Sequence, residues 1–152
     1  MYTIKETMFN RWHTFDNSDV VCVGFIYNHT LYSVVPTETQ LFNMVTVEKA
    51  SRNQGYALRL RVRKDHKIAL LTNATPICSE HYFNECVSNS KYNKGEIFEK
   101  LVTENAGQEW HKDCVPMTAG GDIAVNGVQI QLKFDGATLT NEKTLLNFEN
   151  RG

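Results

Sequence analysis

The stretch GGDIAVNGVQIQLKF, Gly120–Phe134, predicts a β-hairpin near the C-terminal end of the chain. Its central Asn-Gly dipeptide is typical of a two-residue turn, and alternating apolar residues flank it. Gln131 and Lys133 share one face of the second strand, and the turn folds that face towards the strand that begins at Asp122. Gathering a carboxylate, an amide and an amine in one small volume is costly unless they have a function. The hairpin therefore predicts a functional site.

Length and composition indicate a globular domain. The chain has 152 residues and is 41% hydrophobic, which is enough for a core. Its net charge is -1, so any binding of nucleic acid must depend on local basic patches. No apolar run approaches the roughly 20 residues that cross a bilayer, and the N-terminus does not resemble a secretory signal. We therefore expect a soluble, intracellular (cytoplasmic) protein with reduced cysteines and no membrane partner.

The first half of the chain predicts mostly strands. Residues 20–27 are rich in β-branched and aromatic side chains and predict a strand. A turn is expected to lead from it into a hairpin partner over residues 31–35. Thr37 is predicted to cap a helix that runs to Ala50, although the β-branched residues 45–47 would also suit a strand.

Residues 56–62 alternate between apolar and basic side chains, which predicts a half-buried strand with a basic outer row. We expect a turn over residues 64–67 and a further strand over residues 68–71. Residues 73–89 show no regular pattern, so they are predicted to be irregular.

The second half of the chain predicts the order helix, strand, strand, helix. The clearest helical pattern covers residues 90–105, which carry an apolar stripe at helical spacing, and Gly107 is expected to end that helix. A short extended piece is expected over residues 115–117. After the hairpin, residues 140–149 predict a closing amphipathic helix.

The polar side chains of the hairpin suit the hydrolysis of a phosphodiester bond with the help of a divalent metal. Such a reaction needs a metal held by oxygen atoms, a water in line with the leaving oxygen, and a cation that stabilises the phosphate charge. Mg²⁺ keeps several waters, so one or two carboxylates plus carbonyl oxygens suffice as ligands. Asp122, the Gln131 amide and the Leu132 backbone carbonyl are the candidate ligands, and Lys133 is the candidate cation.

A helix with KGxxxE, then GGDI, then a hairpin into QLK resembles the PD-(D/E)xK nuclease superfamily. The closest resemblance is to branches with Q-x-K, such as Mrr-type restriction endonucleases, and in the helix to archaeal Holliday-junction resolvases. The resemblance implies an α/β fold with a restriction-endonuclease-like core (helix, hairpin strands, helix) over residues 89–150. It also implies a Mg²⁺- or Mn²⁺-dependent endodeoxyribonuclease that acts on DNA and forms a homodimer. The implied catalytic residues are Glu99, Asp122, Gln131 and Lys133, and Glu99 is a further metal ligand.

The chain departs from the family pattern at three points, the mildest of which is Gly121 in place of the family's Pro before the Asp. Gln131 replaces the usual acid, so the metal site carries one negative charge less. The family also adds another strand after its second helix, where this chain ends. We therefore expect the strand-rich residues 1–88 to complete the sheet or to bind substrate within a single domain, residues 1–152.

The helix offers three glutamates, and the choice among them depends on their position. Glu96 is predicted to lie opposite the apolar stripe, where its carboxylate would not reach the sheet, whereas Glu99 and Glu104 flank the stripe. Glu99 is selected because the resemblance places a Glu about four residues after a Gly, here Gly95.

Basic side chains near the predicted site are candidates for binding DNA phosphates. Some of them form the outer row of the strand over residues 56–62 and its continuation, and the others lie near the start of the helix predicted over residues 90–105. They are Arg59, Arg61, Arg63, Lys91 and Lys94.

Other interpretations stay open. The chain would also suit a DNA-binding module of nuclease fold that does not cleave, or a protein-interaction factor such as those of phages or mobile elements. The pairs Cys78/His81 and His111/Cys114 have spacings that occur in zinc sites, but the surrounding sequence lacks the usual zinc motifs. No motif indicates a serine or cysteine nucleophile.

Overall fold

The computed structural model describes residues 20–50, 57–110, 123–136 and 138–139, and over these the chain has a mixed α/β fold. The strands are β1 (Val20–Tyr27), β2 (Thr30–Val34), β3 (Val45–Ala50), β4 (Ala57–Val62), β5 (Thr75–Ser79), β6 (Ile123–Val125), β7 (Val128–Phe134) and β8 (Thr138–Leu139). The helices are α1 (Glu38–Met44), α2 (Lys64–Leu70), α3 (Glu80–Ser88) and α4 (Lys94–Asn105).

A five-stranded sheet has the order β5-β2-β1-β7-β6. The pairs β1-β2 and β6-β7 are hairpins, and both have two-residue turns with positive φ at both turn residues, which matches the twist of the strands. β1 runs parallel to β7, from Val20↔Ile130 to Gly24↔Phe134. This parallel pair joins the strands of the first half of the chain to the C-terminal hairpin in one sheet.

A second sheet has the order β3-β4-β8. β3 and β4 pair antiparallel from Val45↔Val62 to Ala50↔Ala57. The alternation predicted for β4 is confirmed at the described side chains, because Leu60 and Val62 are buried while Arg61 is exposed.

Two core clusters lie on opposite faces of the five-stranded sheet. The first consists of Val21, Val23, Phe25, Val34, Leu41, Val45, Leu60, Val62 and Leu70. It packs that face against β4, α1 and α2. The second consists of Cys22, Leu31, Phe83, Ile97, Phe98, Leu101, Val102, Ile123, Leu132 and Phe134. It packs the other face against α3 and α4.

Gly24 allows α4 to approach the sheet closely. A Cβ atom at Gly24 would lie 2.2 Å from Cε1 of Phe98, well inside van der Waals contact. Phe98 is fully buried, and its ring centroid lies 5.7 Å from that of Phe134. The missing side chain at Gly24 therefore sets the position of α4 over β1 and β7.

The ends of α4 follow from local capping. The helix begins at Lys94 rather than at the predicted Ser90, because the Asn93 side chain accepts from Glu96 N and the Glu96 side chain accepts from Asn93 N. At the other end, Gly107 has φ +79°, and its N–H donates to Glu104 O. This left-handed glycine reverses the chain, as the sequence predicted.

The first predicted helix is shorter than expected. Thr37 caps α1 as predicted, with its side chain accepting from Gln40 N at 3.1 Å. The prediction that the helix continues to Ala50 is wrong, because α1 ends at Met44 and residues 45–50 form β3. The β-branched residues in that stretch pair with β4, the alternative that the sequence left open.

Two further predictions are wrong. Residues 64–70 form α2 instead of a turn followed by a strand, since a short apolar run suits either structure and here only Leu70 is buried. Residues 73–89 are regular rather than irregular and contain β5 and α3. Ser79 caps α3 by accepting from Tyr82 N at 3.1 Å, a local signal that the sequence carried.

Several predictions fall outside the described residues. They include the extended piece over residues 115–117, the helix over residues 140–149, and Asp122 at the start of the hairpin. Over the described ranges, every helix is too short or too polar to span a bilayer.

Candidate functional site

A cleft of about 720 Å³ lies where the end of β7 meets the start of α4. Its described lining comes from three places: residues 93–96 and Glu99 of α4, residues 132–136 at the end of β7, and Arg61 of β4. Concave sites of this size are where small ligands and substrate segments bind. The cleft is therefore the candidate site.

The cleft brings together residues that the sequence selected separately. Glu99, Leu132 and Lys133 were predicted for catalysis or metal binding, and all three line it. Arg61 and Lys94, predicted to bind DNA phosphates, line it too. Arg61 reaches the site from the first half of the chain.

Glu99 and Lys133 reach the cleft from opposite faces of the sheet. Lys133 is the register partner of Val23, so its side chain lies on the face of the first core cluster. The helix that carries Glu99 packs on the other face, through Phe98 against Phe134. Both residues line the cleft because it lies where the end of β7 meets the start of α4.

Gln131 lies deeper than the other predicted residues. It is buried, with 9% of its surface exposed, and it is not among the described residues that line the cleft. Asp135 N donates to Gly24 O, so the peptide N–H of Asp135 faces β1. Because the peptide groups of successive residues in a strand face opposite sides, those of residues 131 and 133 also face β1. Those of Leu132 face the side on which β6 pairs. The Leu132 carbonyl thus points away from β1, towards the side of β7 on which β6 lies.

Asp135 is a cleft residue that the sequence did not reveal. Its carboxylate accepts from Val62 N at 2.8 Å and pairs with Lys67 Nζ at 3.1 Å. Its own N–H donates to Gly24 O at 2.8 Å, and Gly136 N donates to Leu60 O at 2.7 Å. Asp135 therefore ties the end of β7 to β1, β4 and α2 and holds the floor of the cleft in place.

Glu96 also lines the cleft, although the sequence predicted that it points away from the sheet. The prediction is wrong because it was based on which glutamates flank the apolar stripe, whereas the cleft lies at the start of the helix. The capping box of Asn93 and Glu96 could have revealed the start of the helix from the sequence. Glu104 is exposed and pairs with Lys100 at 3.4 Å, away from the cleft.

The predicted phosphate-binding residues differ in their positions. The backbone of Arg59 pairs with Glu48 in the second sheet, and its side chain lies outside the described part. Arg63 is exposed and precedes α2. Lys91 is exposed, and its Nζ lies 5.4 Å from the centre of the Tyr92 ring. Lys94 and Arg61 are the two that line the cleft.

The lining combines both signs of charge. Arg61, Lys94 and Lys133 are basic, while Glu96, Glu99 and Asp135 are acidic. The helix cap engages Glu96, and Lys67 neutralises Asp135 from behind. An anionic ligand in the cleft would meet three basic side chains, with the Asp135 carboxylate already paired with Lys67.

The described residues contain no group of three or more His, Cys, Asp or Glu side chains placed to hold a metal, and Asp122, His111 and Cys114 lie outside them. Burial raises the pKa of the Cys22 thiol to about 12, against a smaller opposing effect of its hydrogen bond with Ser33. Cys22 therefore stays protonated near neutral pH and is unsuited to act as a nucleophile.

No protein-family model matches this chain, and comparisons with curated proteins and with solved structures find no match.

Proposed function

We propose that this protein is a metal-dependent nuclease of restriction-endonuclease-like fold that hydrolyses DNA phosphodiester bonds in the cleft. The observation that supports the proposal is that one cleft is lined by Glu99 and Lys133 together with Arg61 and Lys94. A carboxylate, an amine and two further cations are the groups that a phosphodiester substrate requires.

The donor chemistry of the cleft suits a hard divalent cation such as Mg²⁺ or Mn²⁺. Glu99 offers a carboxylate in the cleft, and Leu132, which also lines it, offers a backbone carbonyl. Asp122 and Gln131 are proposed as the remaining ligands on the basis of the sequence. A bound Mg²⁺ supplies a Lewis acid that polarises the phosphoryl oxygen.

The residues of the chain then have separate tasks. The Lys133 ammonium has three N–H donors, so it can donate to the attacking water and to a phosphate oxygen at once. Arg61 and Lys94 hold phosphates on either side of the scissile bond. Asp135 keeps the end of β7 in register with β1 and β4, which positions Lys133 without contact to the substrate.

The test is cleavage of supercoiled plasmid and of branched DNA in Mg²⁺ or Mn²⁺, with EDTA as the metal-free reference. Asp122→Asn, Glu99→Gln and Lys133→Met should each lower the rate by about 100-fold or more. Glu104→Gln and Lys100→Met are the matched controls, since they make the same changes on α4 outside the cleft. Circular dichroism should show that all variants fold.

Three outcomes would contradict the proposal. Cleavage by Glu99→Gln or Lys133→Met at the wild-type rate would exclude the cleft as the reaction site. Equal losses in the variants and in their α4 controls would show that the effect is structural. DNA binding without cleavage under all metal conditions would favour the non-cleaving DNA-binding module instead.

A further inference from the structure

An aromatic pair lies directly beside the cleft. The ring centroids of Tyr92 and Trp110 are 4.9 Å apart, and the rings meet edge to face at 83°. Tyr92 immediately precedes Asn93, which lines the cleft. Both aromatic residues are only partly buried, so each leaves ring surface accessible to solvent.

The fold brings these rings together across the length of a helix. Tyr92 precedes α4 and Trp110 follows it, and a helix of 12 residues is about 18 Å long. The reversal at Gly107 returns the chain, with Gln108 N donating to Thr103 O at 3.1 Å. The Gln108 side chain also donates to Ala124 O of β6. Trp110 is thus carried back to the start of α4.

Tyr92 sits on a rigid support. Its N–H donates to Ser90 Oγ at 3.2 Å, and Ser90 Oγ donates to Val87 O at 3.3 Å. The next residue, Asn93, is held by the capping box of α4. The Tyr92 ring also packs partly against the second core cluster. A ring fixed in this way loses little conformational entropy when a ligand stacks on it.

Charged side chains lie near the pair. Lys91 Nζ lies over the Tyr92 ring at 5.4 Å from its centroid, Lys94 is exposed two residues after Tyr92, and the exposed Glu109 precedes Trp110. Lys94 lines the cleft together with Lys133 and Arg61, among the carboxylates described above. Cations that follow a backbone next to an aromatic platform are the combination that binds single-stranded nucleic acid.

We propose that Tyr92 and Trp110 form a stacking site for an unpaired base of a DNA strand whose phosphates lie in the cleft. This inference rests on the proposed function and narrows its substrate to DNA with a single-stranded segment. Bases in a duplex already stack on their neighbours and present only their edges, so duplex DNA cannot offer a free face to these rings.

The test uses Trp110 as its own reporter. The chain has two tryptophans, so a Trp12→Phe background leaves Trp110 as the single source of tryptophan fluorescence. The probes are an oligothymidylate and an oligonucleotide of equal length with abasic sites, which carries the same phosphates without bases. The experiment is done with EDTA to prevent cleavage.

The oligothymidylate should quench the fluorescence and bind about 5- to 150-fold tighter than the abasic strand, which is the range for one stacked base. In the full sequence, followed by fluorescence anisotropy of labelled strands, Trp110→Leu and Tyr92→Leu should each remove this preference. Trp110→Phe should restore much of it, which separates stacking from a loss of folding.

The outcomes distinguish this inference from the function on which it rests. Equal affinity for both strands, with weaker binding in Arg61→Met and Lys94→Met, would overturn the stacking site and leave the cleft as a phosphate-binding site. No binding of either strand at low salt would overturn both. A preference that persists in Trp110→Leu would also exclude the stacking site.

Discussion

The contact between Gly24 and Phe98 gives a quantitative prediction for Gly24→Ala. The new Cβ would lie 2.2, 2.4 and 2.6 Å from three atoms of the Phe98 ring. Carbon atoms in contact are normally about 3.5–4.0 Å apart, so the nearest ring atom must retreat by about 1.3 Å. The ring is fully buried and packs on Phe134, which leaves it little room.

The expected cost is a loss of about 2 kcal/mol in the free energy of unfolding, from the upper end of the overpacking range less the gain from replacing glycine. Overpacking typically costs about 1–3 kcal/mol, occasionally more, and replacing glycine recovers about 0.5–1 kcal/mol of that cost. For a domain of this size the melting temperature should fall by about 2–4 °C per kcal/mol. Urea unfolding followed by far-ultraviolet circular dichroism measures the loss, and an unchanged m-value confirms that the folded state is compact.

A control and a rescue make the measurement specific. Gly95→Ala is the control, because a Cβ there meets only Asn93 Oδ1 at 3.4 Å and alanine favours a helix, so stability should stay equal or rise by up to about 1 kcal/mol. Phe98→Leu removes the two nearest ring atoms, so the extra cost of Gly24→Ala should shrink in that background. A Gly24→Ala protein as stable as wild type, or an equal cost in both backgrounds, would refute the packing argument.

The remaining predictions concern charges and a thiol. Lys67→Met should cost about 1–3 kcal/mol of unfolding free energy, since it leaves the Asp135 carboxylate, with 13% of its side chain exposed, without its ionic partner. Lys100→Met should cost no more than about 0.5 kcal/mol of unfolding free energy because the pair of Lys100 with Glu104 is exposed. Equal losses of unfolding free energy for the two lysine variants in urea titrations would contradict this difference. Burial raises the pKa of Cys22 to about 12 in the folded state, above its ordinary 9.0. The stability that the protonated Cys22 thiol contributes is therefore complete below pH 9 and is lost as pH rises towards 12. In that pH window the unfolding free energy of the wild type should fall by about 1.4 kcal/mol per pH unit more than that of Cys22→Ala. Parallel pH profiles of the unfolding free energy in the two proteins would refute the assignment.

Features that depend on neighbouring residues could be predicted from the sequence. The hairpin over β6 and β7 was predicted from its Asn-Gly turn, since φ is positive at both turn residues. The cap at Thr37 and the end of α4 at Gly107 were predicted in the same way. Where two local structures suit the same residues, as in residues 45–50 and 64–70, the sequence pattern was ambiguous and the wrong one was chosen.

The candidate site likewise has a part that the sequence predicted and a part that only the folded chain shows. By itself, the sequence determined the chemical groups of the hairpin, the shared face of Gln131 and Lys133, and the carboxylate of α4. Only the tertiary structure brought Arg61 and Asp135 to the same cleft and buried Gln131. The physical reason is that the parallel pairing of β1 with β7, and the fit of Phe98 over Gly24, join residues far apart in the chain. Contacts of that kind leave no periodic pattern among sequence neighbours, so only the folded chain decides them.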